Sequence, residues 1–165
     1  MRTQQTAEHI KGDKRIEPAL GEISAGDHDN LTYEEIADMF PVEFALRDSD
    51  KLHYRYPNGE SYMDVVERIQ PLVSRIKEED NLLIISHQAT LRCLLSLILE
   101  NSLEEVPYLR IPLHTLIKLT FLPDGVSVEY HRLPVDCVDT HRLKPDNCSL
   151  NRPMEDACLT IPLHL

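Results

Sequence analysis

Residues 81–95 read NLLIISHQATLRCLL. A short, continuously apolar run at 83–86 ends in His87, and Arg92 follows five positions later. Such a run suits a strand buried on both faces of a mostly parallel sheet. The strongly apolar stretch 91–100 reads as a helix packed directly after it. That order sets His87 just beyond the carboxyl end of a parallel strand, where ligand crevices open. If Gln88 or Ala89 begins the helix, its free N–H groups point into the crevice and favour an anion. A histidine at a strand end is also a common structural residue. Arg92, in the first helical turn, opposes the dipole and requires a compensating anion or carboxylate. With 28 Asp and Glu in the chain, this stretch alone leaves a structural ion pair and an anion site equally open.

Working outward, the segments on either side alternate helix and strand signals. Residues 3–10 read as the end of a helix closed by Gly12. EISAGDHDN at 22–30 is a loop. Thr32 and Glu35 form a capping-box pattern for a helix that stops before Pro41, and 42–47 suits a second short helix. YRYPNGES at 54–61 is a turn built on Pro-Asn-Gly. After it Val65, Val66, Ile69, Leu72, Val73 and Ile76 recur at helical spacing, with a kink expected at Pro71. Residues 116–122 and 126–131, joined by Pro123-Asp124-Gly125, read as a β-hairpin. Helices interleaved with strands give an α/β fold in three layers. From 134 to 165 periodicity is lost, and that segment reads as an extension laid over the surface or partly disordered.

Composition narrows the function. A chain of 165 residues fits one domain with a real core. Its net charge of -11 argues against nucleic-acid binding, so an anionic ligand would need a local cationic pocket. No apolar run approaches the ~20 residues of a membrane helix. Cys93, Cys137, Cys148 and Cys158 are widely spaced, which suits reduced cytosolic thiols better than disulfides or zinc. The histidine spacing forms no metal cluster. Candidate cations do recur: Arg47, Lys51 and Arg55 are four apart each time, with Tyr33, Tyr54, Tyr56 and Tyr62 nearby. They could converge on a phosphate or be a solvated charged face. Glu22, between Gly21 and Ile23, could protonate a leaving oxygen, on weak local signal. Arg2 has no local context.

Taken together, RTQQTAE (2–8), GEISAG (21–26), LTYEEI (31–36), EFALRDSDK (43–51), RYPNGESY (55–62), SHQATLRCLL (86–95), VPYLRIPLHTLIKL (106–119) and THRLKP (140–145) resemble the histidine phosphatase, phosphoglycerate mutase-like superfamily. They are most similar to the bisphosphatase half of bifunctional 6-phosphofructo-2-kinase/fructose-2,6-bisphosphatases. The resemblance implies a histidine phosphatase domain over 1–133 and hydrolysis of fructose 2,6-bisphosphate to fructose 6-phosphate through a phosphohistidine. By match to the family's motifs, His87 is the second histidine, Arg2 shares the phosphate pocket, and Glu22 protonates the departing O2. Tyr33, Arg47, Lys51, Arg55, Tyr62, Gln88 and Arg92 match positions that hold the sugar and its 6-phosphate. No metal or other cofactor is implied for this half. ATP and Mg belong to a kinase domain that would accompany it in a cytosolic homodimer.

One departure matters most. The family's nucleophile lies in an Arg-His-Gly motif, which occurs nowhere in residues 1–165. The expectation is a domain truncated at its N-terminus, missing its first strand, with an open edge on the 82–86 strand. Ser86 stands where animal members carry Cys, and Ser24 where Asp is usual. A sugar-phosphate-binding pseudoenzyme and a phosphoglycerate mutase-like phosphatase are the alternatives.

Overall fold

The computed structural model describes residues 1–137 and 141. Helix α1 spans Arg2–Ala7 and ends short of the predicted Ile10. α2, Tyr33–Met39, opens with the full capping box: Thr32 accepts from the Glu35 N–H and Glu35 reaches back to the Thr32 N–H. Phe40 then serves as the junction to α3, Pro41–Ser49, whose first residue is proline, the one helical position where a missing N–H costs nothing. α4, Tyr62–Glu78, starts with a second such box from Ser61 and Asp64 and continues through Pro71. α5 is Gln88–Leu99, ended by Glu100 in the left-handed conformation at φ 56. The predicted hairpin forms as β1, Thr115–Leu122, antiparallel to β2, Gly125–Arg132, in the register Thr115↔Arg132.

The core lies where α4 packs on α5. Val65, Val66 and Ile69 from the predicted apolar face meet Ala89, Cys93, Leu94 and Ile98, with Leu52, Tyr62 and Val106 closing the ends. Val65, Ile69, Cys93 and Val106 are wholly buried. Burial of each such aliphatic side chain is worth roughly 1.5–3 kcal/mol. This core carries two of the candidate site residues, because Tyr62 begins α4 and Arg92 lies in α5. No helix among the described residues is long and apolar enough to cross a membrane.

The expected parallel sheet is not seen among the described residues. Among the described residues the one sheet is the β1–β2 pair, and residues 82–86 have no ladder partner. Burial on both faces fails as well, since Leu82 and Leu83 are 52% and 50% exposed. The reason is physical. An extended apolar segment becomes a strand only when a neighbour offers matching N–H and C=O groups. No described segment forms such a ladder with this one. The expectation for the 134–165 extension falls, beyond residue 137 and apart from residue 141, outside the described residues.

Candidate functional site

α5 begins at Gln88, with His87 in the N-cap position on extended backbone. No side chain caps this end, which leaves first-turn N–H groups open toward an anion. His87 and Gln88 are half-buried. One turn on, Arg92 is 5% exposed, with Nε donating to the Leu109 carbonyl at 2.8 Å and Nη1 to the Tyr62 hydroxyl at 3.0 Å.

A second cation approaches from α3. Arg47 is 4% exposed; its Nη2 donates to the Tyr33 hydroxyl at 3.2 Å, and its guanidinium lies over the Tyr33 and Tyr56 rings at 4.8 and 5.7 Å. Burial opposes its charge. The phenol oxygens of Tyr33, Tyr56 and Tyr62 outweigh that and hold its pKa above the ordinary guanidinium value. Lys51, in the turn after α3, is 8% exposed, with Nζ 3.2 Å from the Pro107 carbonyl and 5.2 Å from the centre of the Tyr108 ring. Carbonyls at 107 and 109 therefore hold Lys51 and Arg92 on one turn. Among the described residues, no hydrogen bond of Arg47 or Arg92 goes to a carboxylate. Their hydrogen-bond partners there are neutral oxygens.

Glu22 sits half-buried in the irregular stretch after Leu20, its Oε1 accepting from the Ile23 N–H at 3.0 Å. Two bonds bind that stretch to the His87 region: Ser86 Oγ donates to the Leu20 carbonyl at 2.7 Å and Thr90 Oγ1 to the Gly21 carbonyl at 2.5 Å. Glu22 and His87 thus come from adjoining segments.

Two predicted residues stay apart. Arg2 is exposed on α1, and no contact of its side chain with another candidate residue occurs among the described residues. Arg55 does not join Arg47 and Lys51 in a stripe. Its side chain is 61% exposed and pairs with Asp64, because the helix ends at Ser49 and the following turn rotates Arg55 outward. Sequence reasoning missed Tyr56, Thr90 and the 107–109 carbonyls. Tyr56 is buried between Arg47 and the edge-on rings of His28 and Tyr54. The tyrosine had been noted without a role, and a backbone carbonyl carries no sequence signal at all.

Burial pushes the Tyr62 hydroxyl up to about 12, partly offset by Arg92, and pushes the Cys93 thiol up to about 12. Tyr62 is therefore a neutral hydroxyl at ordinary pH. It accepts from Arg92 and keeps its own proton to donate. Both groups are held neutral by the fold, with folded pKa values above their unfolded ones. Their contribution is fully present below the unfolded values and is lost as pH rises toward 12. Urea unfolding at pH 8 and pH 11 is expected to show a falling midpoint. Tyr62→Phe should flatten that fall by about 1.4 kcal/mol, because at pH 11 about one of the two pKa units, at 1.36 kcal/mol each, has been expressed. An unchanged slope in Tyr62→Phe would remove Tyr62 from the account.

The family model described as histidine phosphatase superfamily (branch 1) matches residues 1–134. The chain is 48% identical over 163 residues to rat 6-phosphofructo-2-kinase/fructose-2,6-bisphosphatase 4, covering 99% of this chain and 35% of the rat protein. It is 49% identical over 163 residues to the 6-phosphofructo-2-kinase/fructose-2,6-bisphosphatase of Aquarana catesbeiana, with the same coverage of 99% and 35%. The chain therefore spans about a third of the length of these curated relatives. Among solved structures, the alpha-ribazole phosphatase of Shigella flexneri matches with TM-score 0.67 at 18% identity, over 83% of this chain and 69% of that one. That likeness establishes the α/β fold alone.

Proposed function

The chain belongs to the histidine phosphatase superfamily, branch 1, and within it we propose that residues 1–165 are the sugar-phosphate pocket of a fructose-2,6-bisphosphate 2-phosphatase. The observation that carries this reading is the pair of buried guanidiniums, Arg47 and Arg92, facing neutral oxygens inside a protein of charge -11. A buried cation without a counter-ion costs several kcal/mol unless an anion completes it. The names of the relatives supply the class of that anion, a fructose phosphate.

In this reading Arg47, Lys51 and the Tyr33 hydroxyl hold the 6-phosphate, while Tyr62, Gln88 and Arg92 orient the sugar. The first turn of α5, His87 and Arg2 receive the 2-phosphate. A transferring phosphoryl group spreads charge over its oxygens, so fixed donors and cations do most of the catalytic work. The P–O2 bond breaks with its electron pair left on O2. The Glu22 carboxyl gives O2 a proton. The phosphoryl group passes to the histidine of an Arg-His-Gly segment ahead of residue 1. Water then attacks the phosphohistidine, loses a proton to the Glu22 carboxylate, and releases phosphate.

That segment would also contribute the strand lying beside residues 82–86, giving the parallel, three-layer sheet of the family. Arg55 remains a peripheral member, positioned to turn inward from Asp64 when the substrate binds. The half described needs no cofactor. A kinase domain using ATP and Mg, a homodimer made through it and a cytosolic setting belong to the same proposal. Residues 134–165 are an extension outside the phosphatase domain.

Binding tests the pocket without needing turnover. Fructose 6-phosphate at one hundred times its Kd should stabilise the chain by about 2.7 kcal/mol, raising Tm several degrees. Fructose should give no shift, and 3-phosphoglycerate a smaller one. Equal shifts for fructose 6-phosphate and 3-phosphoglycerate would transfer the assignment to a mutase-like phosphatase. The absence of Arg-His-Gly from 1–165 favours a second reading, a pseudoenzyme that binds sugar phosphates without hydrolysing them.

A further inference from the structure

Glu22 lies in a stretch with neither helix nor strand, so its backbone has no ladder to fix it. One side-chain pair takes over that task. Arg68, in the middle of α4, donates from Nε to Glu60 Oε1 at 2.8 Å and from Nη2 to Glu60 Oε2 at 3.2 Å. The same guanidinium donates to the carbonyls of Ala19, of Gly21 at 2.9 Å and of Glu22 at 3.2 Å. Glu60 continues the hold on the other side. Its Oε2 accepts from the Ser24 N–H at 3.0 Å, and its own N–H donates to the Ser24 carbonyl at 2.9 Å.

The backbone before and after Glu22 is thus gripped by one ion pair anchored on α4. The turn carrying Glu60 is fixed to the same loop by close backbone contact. A Cβ at Gly26, where φ is +54, would stand 2.0 Å from the Pro57 carbonyl, and one at Gly59 would stand 2.5 Å from the Ser24 carbonyl. Only glycine permits this approach. An isolated ion pair with side chains 23% and 25% exposed would add little to stability. This one is also bonded to backbone on both sides of a single carboxylate.

We infer that the Arg68–Glu60 pair is a positioning device for Glu22, setting the line along which its proton reaches the departing oxygen. The inference rests on the acid role of Glu22 proposed above. Lysine at 68 would keep the charge but lose the planar fork that spans several acceptors at once. The loss falls on the two proton transfers at Glu22, to the departing oxygen and from the attacking water, because Arg47, Lys51 and Arg92 are held by other contacts.

The test uses the full-length protein, with the Arg-His-Gly segment ahead of this chain, and two substrates. Fructose 2,6-bisphosphate needs a proton on its leaving alkoxide, whereas p-nitrophenyl phosphate expels a stable phenolate without one. For Arg68→Lys and Glu60→Gln, kcat on fructose 2,6-bisphosphate should fall roughly tenfold or more, part of the 10²–10⁴ that a general acid contributes. KM should stay within about twofold, as should the rate of the p-nitrophenolate burst from the aryl phosphate, which precedes the water step that both substrates share. Equal slowing of both substrates would mean a merely structural pair, and no slowing of either would overturn the inference too. Wild-type protein inactive on both substrates would remove the phosphatase reading, and the clamp with it. A retained fructose 6-phosphate Tm shift in each variant of 1–165 verifies that the pocket is folded. If Arg68→Lys does not fold, Glu60→Gln decides.

Discussion

Replacing Arg47 with methionine is expected to abolish fructose 6-phosphate binding while leaving the fold nearly as stable as before. Those two effects are rarely combined at a buried residue. Arg47 is 4% exposed, at the end of a helix packed into the domain, and a buried arginine is commonly half of an ion pair. Breaking a buried pair costs 3–5 kcal/mol, because the partner charge is left stranded. Arg47 leaves no carboxylate behind, since its hydrogen bond goes to the Tyr33 hydroxyl and its faces lie on tyrosine rings.

Methionine fills similar space among those rings and removes the cost of a desolvated cation. Against that, the Tyr56 hydroxyl loses its guanidinium partner, at roughly 1–3 kcal/mol. The two contributions nearly cancel, so the urea midpoint should move by no more than about 1 kcal/mol. Ligand affinity should fall by about 3 kcal/mol or more, at least a hundredfold, with loss of a charge-assisted contact to phosphate. Calorimetry with fructose 6-phosphate and urea unfolding on the same preparations measure both. A loss of 3 kcal/mol in stability with affinity intact would make Arg47 a structural residue and leave the pocket without its main cation.

The helices were readable because their signals are local. Thr32 with Glu35 and Ser61 with Asp64 each sit three residues apart, and both boxes formed. The Val65–Ile69 face and the Pro123-Asp124 turn were equally self-contained. Residues 82–86 stand without a ladder for the opposite reason. Their composition is that of a strand, but a strand is a relation between two segments, and the partner is not among those described. The site divides along the same line. Arg47 and Arg92 were found by resemblance, and both lie buried among neutral oxygens. Arg55 matched the motif equally well, yet its four-residue spacing depended on a helix that stops at Ser49. Arg68 carries no such signal in the sequence, because nothing in a one-dimensional pattern reveals that three loop carbonyls lie within its reach.

Residues 1–165 alone are expected to show no steady-state hydrolysis of fructose 2,6-bisphosphate. Joined to an Arg-His-Gly segment such as precedes the matched region in the family, they should turn it over. Two deficits have one remedy. Every residue the structure gathers can bind, orient or donate a proton, but none is placed as a covalent acceptor. Cys93 is wholly buried with its thiol pushed up to about 12, which keeps it protonated and unreactive. Loss of a nucleophile costs on the order of 10⁴–10⁶ in turnover even when the rest of a site is intact.

The same segment should pair with residues 82–86, where Leu82 and Leu83 now stand half exposed and the backbone has no ladder. Adding it should therefore raise Tm and slow amide exchange at Ile84 and Ile85 together with the gain in activity. Activity without protection at Ile84 would separate the nucleophile from the strand. Steady-state turnover by 1–165 itself, lost in His87→Ala, would refute the expectation altogether. His87 would then be the nucleophile at the open first turn of α5, since no other histidine among the described residues stands at such an end.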